Sequence, residues 1–230
     1  MSKQEFLDQP NKACTSIFSI GERGTGKTFV ALQSIKYWMQ NNIFDHYYLV
    51  LPDFEDEQND SYAWLAEYKN VTVYEGYHSK YGREILERSK KNKEEHKLHN
   101  KPLEKYMLFI DDAANEGKKL MRCQNLLEIS ISARHKRIQS WFCLHAVANI
   151  IPPCIRNAVG CIFLYPVGRA VLKLMYKDFI NFPKDFKNYD EFELFFDEYV
   201  TDVEFNAFLL FKPKRPNKYS VWVNQWFPQE

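Results

Sequence analysis

The segment Gly21-Glu22-Arg23-Gly24-Thr25-Gly26-Lys27-Thr28 is a complete G-x-x-x-x-G-K-[ST] phosphate-binding loop, and it constrains the fold more than any other part of the chain. Its flanks match its letters. Ser16-Ile17-Phe18-Ser19-Ile20 before it is short, apolar and strand-like. Phe29 to Trp38 after it has helical periodicity. Strand, glycine loop and helix together predict a nucleoside-triphosphate site. Glycines let the backbone turn tightly and approach anionic oxygens with no Cβ in the way. The successive N–H groups of Gly21, Glu22, Arg23, Gly24, Thr25 and Gly26 then form a nest at the positive end of the following helix. Lys27 would reach the β- and γ-phosphates, and the Thr28 hydroxyl would ligate Mg²⁺.

Strand-like and helix-like segments alternate beyond the loop, which predicts an α/β fold with a mainly parallel sheet. Candidate strands are Tyr47 to Leu51, Val71 to Tyr74, Tyr106 to Ile110, Trp141 to Leu144 and Val159 to Tyr165. Two more β-like segments, Ala207 to Phe211 and Tyr219 to Val223, close the chain. Segment 83 to 101 is very polar, and reads as an exposed helix end or a loop. A helix is expected from Lys118 to about Ser132, with Leu120, Leu126, Leu127 and Ile131 on one face. The expected organisation is an N-terminal segment 1–14, an ATPase core 15–167 and a C-terminal extension 168–230 packed on the core.

Tyr106-Met107-Leu108-Phe109-Ile110 is followed by Asp111-Asp112. A strand buried on both faces would deliver these carboxylates to the sheet edge beside the phosphate loop, where α/β ligands bind. Asp111 is expected to hold Mg²⁺, usually through water. Asp112 stands where a carboxylate would polarise an attacking water, which favours hydrolysis over transfer to a small molecule. His145 ends the next buried strand, whose expected place is between the loop strand and the Asp-Asp strand. There it would sense the γ-phosphate, or be a histidine satisfied by local backbone. Arg156, in Ile150-Ile151-Pro152-Pro153-Cys154-Ile155-Arg156-Asn157, could act as an arginine finger across a subunit boundary. Arg134 competes for that role. Its neighbours in Ala133-Arg134-His135-Lys136-Arg137 form a basic cluster that could equally touch nucleic-acid phosphates or be a solvated helix end.

Bulk properties exclude some classes. Lys and Arg number 31 against 30 Asp and Glu, a net charge of +1, so any nucleic-acid partner must be met by local patches. No signal peptide and no run of membrane-spanning length is expected. Five cysteines without C-x-x-C spacing read as reduced thiols, not as disulfides or a zinc site.

GERGTGKT, MLFIDDAAN, ISARHKRIQSWFCLHA and IPPCIRNAV together resemble the genome-packaging ATPases of double-jelly-roll viruses. These are poxvirus-type and membrane-containing-phage-type members of the FtsK–HerA superfamily. The resemblance covers roughly residues 15 to 167. It implies a RecA-like P-loop ATPase that binds ATP and Mg²⁺ and works as a homo-oligomeric ring. The ring would sit at a capsid vertex, meeting a capsid or membrane protein, and move viral DNA into a preformed capsid. The expected locations are the virion and the host cytoplasm. In this family's pattern Lys27 and Thr28 match the loop pair, Asp111 and Asp112 the acidic pair, and Arg156 the arginine after the Ile-Pro segment. One departure is His145, where the superfamily commonly carries Gln. Lys90 to Lys93 and Arg134 to Arg137 are the candidate DNA contacts. Alternatives are a nucleoside or nucleotide kinase, for which Arg83, Arg88 and Arg169 would be lid arginines, and a nucleotide-dependent virion assembly or extrusion protein.

Overall fold

A computed structural model describes residues 1–51, 60–111, 123–145, 158–180, 186–211, 218–221 and 223–227. Two short helices open the chain, α1 (Lys3–Leu7) and α2 (Gln9–Lys12). Then come β1 (Ser16–Ile20), α3 (Lys27–Gln40), β2 (His46–Leu51), a 3₁₀ helix (Asp60–Glu67) and β3 (Val71–Glu75). Next are α4 (Ser79–His99), β4 (Tyr106–Ile110), α5 (Gln124–Lys136), β5 (Ile138–Leu144) and β6 (Val159–Leu164). The last elements are α6 (Arg169–Met175), α7 (Tyr189–Phe196), β7 (Phe208–Phe211), β8 (Lys218–Ser220) and a 3₁₀ turn (Val223–Gln225).

The strands form one sheet in the order β3-β2-β4-β5-β1-β6-β7-β8. The first six run parallel to one another, while β7 pairs antiparallel with β6 and β8 antiparallel with β7. The α/β architecture and mainly parallel sheet expected from the sequence are therefore present, and β5 lies between β1 and β4 as expected. Apolar runs such as Tyr106–Ile110 form the centre because helices cover both faces. Alternation splits the core: Phe18, Leu108 and Phe142 meet α4, α5 and the aromatic residues of the C-terminal part. Ile17, Phe109 and Trp141 meet α1 and α3.

Several local expectations change. The polar run from 83 is helical throughout α4, because Ile85, Leu86, Ser89 and Asn92 keep one buried stripe along it. It stops at Asn100, which takes φ +52° and donates its N–H to the His96 carbonyl. The expected helix from Lys118 is described only from Gln124, and it runs on to Lys136. Arg137 at φ +58° ends it. Its buried face is Leu126, Ile129, Ser130 and Ala133, whereas Ile131 is 52% exposed. Small Ser130 and Ala133 let the helix approach the sheet, and the Ser16 hydroxyl donates to the Ser130 carbonyl. The polar-looking N-terminus hides Phe6 and Leu7, which are buried. Phe6 packs on Trp38, Trp141, Phe163 and Trp226.

The candidate nucleotide site

Because β1, β4 and β5 are parallel and adjacent, their C-terminal tips share one sheet edge. Gly21, Asp111 and His145 each follow such a tip. The loop is pinned on both sides: Gly21 N–H donates to the Leu144 carbonyl (3.1 Å) and Glu22 N–H to the Pro166 carbonyl (3.0 Å). Gly24 and Gly26 have φ +77° and +88°, values that favour glycine. The Thr25 hydroxyl donates to the Glu22 carbonyl (2.9 Å), bracing the turn. Gly26 then delivers α3, whose first N–H groups have no helical partners and face the loop.

A cleft of about 370 Å³ opens over this loop. Arg23, Gly24, Thr25, Gly26, Lys27 and Thr28 line it with Asp111 and His145, so the expected loop, metal-ligand and sensor positions share one cavity. Gly21 and Glu22 lie in the turn below. Lys27 is 5% exposed, and its ammonium donates to the Glu22 carbonyl. A buried ammonium needs acceptors around it, and the loop carbonyl supplies one. The Thr28 hydroxyl donates to Asp111 Oδ1 (3.0 Å), joining the loop helix to the β4 tip. Asp112 and Arg156 lie outside the described residues.

Three cleft features escaped the sequence reading. The Tyr62 hydroxyl, from the 3₁₀ helix after β2, donates to Asp111 Oδ2 (2.7 Å), so both carboxylate oxygens are engaged. Cys143 lies at the cleft floor; full burial, then the charge of Asp111, push its thiol well above the ordinary value. Phe205 forms a wall, with its Cδ1 3.4 Å from where a Gly26 Cβ would stand. Neither Tyr62 nor Phe205 belongs to a local motif; only the folded chain brings them here.

The candidate basic clusters lie at the opposite edge, because α4 runs back along the sheet and α5 ends where β5 begins. Lys93 donates to the His135 carbonyl, so the two clusters meet. Arg137 is a staple: its guanidinium donates to the Leu103 (3.0 Å) and Glu104 (3.2 Å) carbonyls. Lys136 pairs with Glu128 (2.8 Å), while Arg134, Lys90, Lys91 and Lys97 are exposed. Of the arginines considered for a kinase lid, Arg88 bonds the Tyr48 hydroxyl (3.2 Å) near that same edge, and Arg169 pairs with Glu193 (3.3 Å).

The family model described as "Poxvirus A32 protein" matches residues 6–176. The chain belongs to this family. It is a P-loop ATPase of the viral genome-packaging type, as the motif resemblance implied. A comparison with curated protein sequences finds no match. Among solved structures, the packaging NTPase B204 of Sulfolobus turreted icosahedral virus 2, in complex with AMP, has a TM-score of 0.61 at 13% identity. That match covers 90% of this chain and 96% of that one. B204 of Sulfolobus turreted icosahedral virus, described as its DNA-packaging ATPase, has a TM-score of 0.60 at 13% identity, covering 89% and 96%. The cytoplasmic domain of the type VII secretion ATPase EccC of Thermomonospora curvata has 0.59 at 10% identity, covering 90% of this chain and 25% of that one. At these identities the likeness establishes the fold. Among the described residues, no helix of the A32-family chain is long and apolar enough to cross a membrane.

Proposed function

We propose that this A32-family ATPase binds ATP with Mg²⁺ in the cleft above Gly21–Thr28 and uses its hydrolysis to drive viral DNA into a capsid. The observation that carries this reading is the 3.0 Å contact between the Thr28 hydroxyl and Asp111 Oδ1, beside a buried Lys27. Two hard oxygen donors from different elements meet where a divalent cation would lie against the phosphates. The donor set thus suits Mg²⁺, with Thr28 and Asp111 as its holders. When bound there, held by Thr28 and Asp111, the cation would supply positive charge that offsets the charge developing on the phosphates.

The chain's own groups do the rest. Backbone N–H groups from Gly21 to Thr28 cradle the phosphates, and Lys27 turns from the Glu22 carbonyl to the β- and γ-oxygens. Asp112 orients the attacking water, His145 senses the γ-phosphate, and Arg156 reaches the site of a neighbouring copy in a homo-oligomeric ring. The ring stands at a capsid vertex against a capsid or membrane protein, in the virion or the host cytoplasm. Residues 15–167 form the motor core, 1–14 a leading segment, and 168–230 an extension packed on the core. DNA is gripped through its phosphates by Lys90, Lys91 and Arg134, away from the nucleotide edge, so the grip is sequence-independent and salt-sensitive.

Steady-state ATP hydrolysis with and without double-stranded DNA tests this, beside Lys27→Ala and Asp112→Asn. Turnover stimulated by DNA and lost in both variants is expected. Turnover that ignores DNA but needs a nucleoside acceptor would overturn the motor reading. Lys90→Glu/Lys91→Glu should remove DNA stimulation and leave basal turnover intact. Arg137 is unsuited to that test, since its loss would free two carbonyls.

A further inference from the structure

A row of side chains runs out of the core to the floor of the phosphate cleft. Ser19 on β1 pairs directly with Cys143 on β5. Ile110 at the end of β4 is level with Phe142, which sets Asp111 level with Cys143. Residues level with one another in neighbouring strands point to the same face. Ser19, Cys143 and Asp111 therefore lie side by side on the face that α3 covers, with Trp141 two residues behind Cys143. Ser19 and Cys143 are buried, and Cys143 lines the cleft beside Asp111.

The protons along this row run in one direction. The Trp141 indole can only donate, and it donates to the Ser19 hydroxyl oxygen (2.8 Å). Ser19 passes its own proton to the Cys143 sulfur, and the thiol hydrogen-bonds the Asp111 carboxylate. A metal-holding carboxylate is ionised and only accepts, so the thiol is the donor there. Hydrogen bonds linked head to tail in this way polarise and hold one another.

The thiol joins Thr28 and Tyr62 among the donors to Asp111. Those two reach it from helices outside the sheet. Cys143 belongs to the sheet, so its bond sets the carboxylate relative to the strand tips, one of which carries the phosphate loop. A buried cysteine ordinarily serves as a small apolar filler. Packing alone needs no donor at this position; the row from Trp141 to Asp111 does.

We propose that Cys143 is a positioning residue: its thiol, oriented by Ser19 and Trp141, holds the Asp111 carboxylate in the orientation that receives Mg²⁺ with the nucleotide. It does not ligate the cation, since Mg²⁺ takes hard oxygen donors. The proposal rests on the cleft binding nucleotide with Mg²⁺, and the experiment separates the two.

Calorimetric titration of the full chain with the non-hydrolysable analogue AMPPCP, in EDTA and over a series of free Mg²⁺ concentrations, tests it. Wild-type binding should tighten as Mg²⁺ rises. In Cys143→Ala the free Mg²⁺ that gives half of this tightening should rise about tenfold, the low end of what a partner of a metal-holding group contributes. Its affinity in EDTA should not change. Cys143→Ser keeps a donor on the same carbon and should recover most of the loss. An unchanged Mg²⁺ requirement in Cys143→Ala would overturn the proposal. So would equal weakening in Mg²⁺ and EDTA, or a serine variant as impaired as the alanine one, because packing alone would then explain the residue. A wild type that binds no AMPPCP, or binds it equally in Mg²⁺ and EDTA, would remove the nucleotide–Mg²⁺ reading and this one with it. Retained affinity in EDTA also shows that a variant has folded.

Discussion

Replacing Gly21 with alanine probes how tightly the phosphate loop is wedged into the sheet. A Cβ at Gly21 would stand 2.5 Å from the Tyr165 Cβ and 3.0 Å from the Thr25 hydroxyl oxygen. Carbon atoms in contact sit about 3.5–4.0 Å apart, so the first approach is short by about 1 Å or more. Neither side yields easily. Tyr165 is fully buried and donates its N–H to the Ile20 carbonyl (2.8 Å), while Gly21 N–H is held by Leu144. Overpacking of this kind costs about 1–3 kcal/mol, and the lower chain entropy of alanine returns about 0.4–1 kcal/mol. At the middle of each range the net is a loss of about 1.3 kcal/mol, or a Tm lower by about 3–5 °C for a chain of this length. Two controls isolate the cause. Gly24→Ala meets no atom within 4 Å but must hold φ +77°, a strain of about 1 kcal/mol. Gly168→Ala meets neither a neighbour nor a left-handed backbone, and should change stability by less than about 0.5 kcal/mol. Thermal unfolding followed by circular dichroism should rank the losses Gly21, then Gly24, then Gly168. A Gly21→Ala protein melting within a degree of wild type would refute the wedge.

Tyr62→Phe removes the hydrogen bond to Asp111 Oδ2, and outer partners of this kind are typically worth about tenfold in activity. Its turnover should fall by about that factor with ATP affinity little changed; wild-type turnover would make the contact incidental. Trp141→Phe deletes the indole N–H that donates to the Ser19 hydroxyl (2.8 Å) in the core, and should cost about 1–3 kcal/mol in denaturant melts. Thiol alkylation at pH 8 should label half-buried Cys123 well before Cys14, Cys143 and Cys161 in the folded protein. Burial pushes Cys14 from the usual 9.0 up to about 11, so its contribution to stability is complete below pH 9 and lost as pH rises through about 11. Equal labelling rates for Cys14, Cys123, Cys143 and Cys161 would contradict that burial.

Much of the site was legible because its parts are contiguous. Gly21 to Thr28 form one loop whose glycines and lysine declare their chemistry, and Tyr106 to Asp111 form one strand with its carboxylate at the tip. Strand runs were visible wherever burial on both faces required unbroken apolar residues. The helical pattern was harder to read. Ile131 suited an apolar face in the sequence, yet Ser130 and Ala133 take the buried positions because close helix–sheet contact favours small side chains.

The local sequence was sufficient to specify a parallel α/β sheet, a phosphate loop and an acidic strand tip, since each depends on residues within a few positions of one another. The tertiary structure decided which distant residues complete the cleft. Tyr62 reaches Asp111 across 49 positions, and Phe205 reaches Gly26 from the far end of the chain. It also turned Arg137 from a candidate DNA contact into a structural staple, and made Phe6 a core residue under four aromatic rings. These assignments depend on strand order and crossover paths. Those are set by how the apolar faces of the whole chain bury one another, and no short window of residues encodes them.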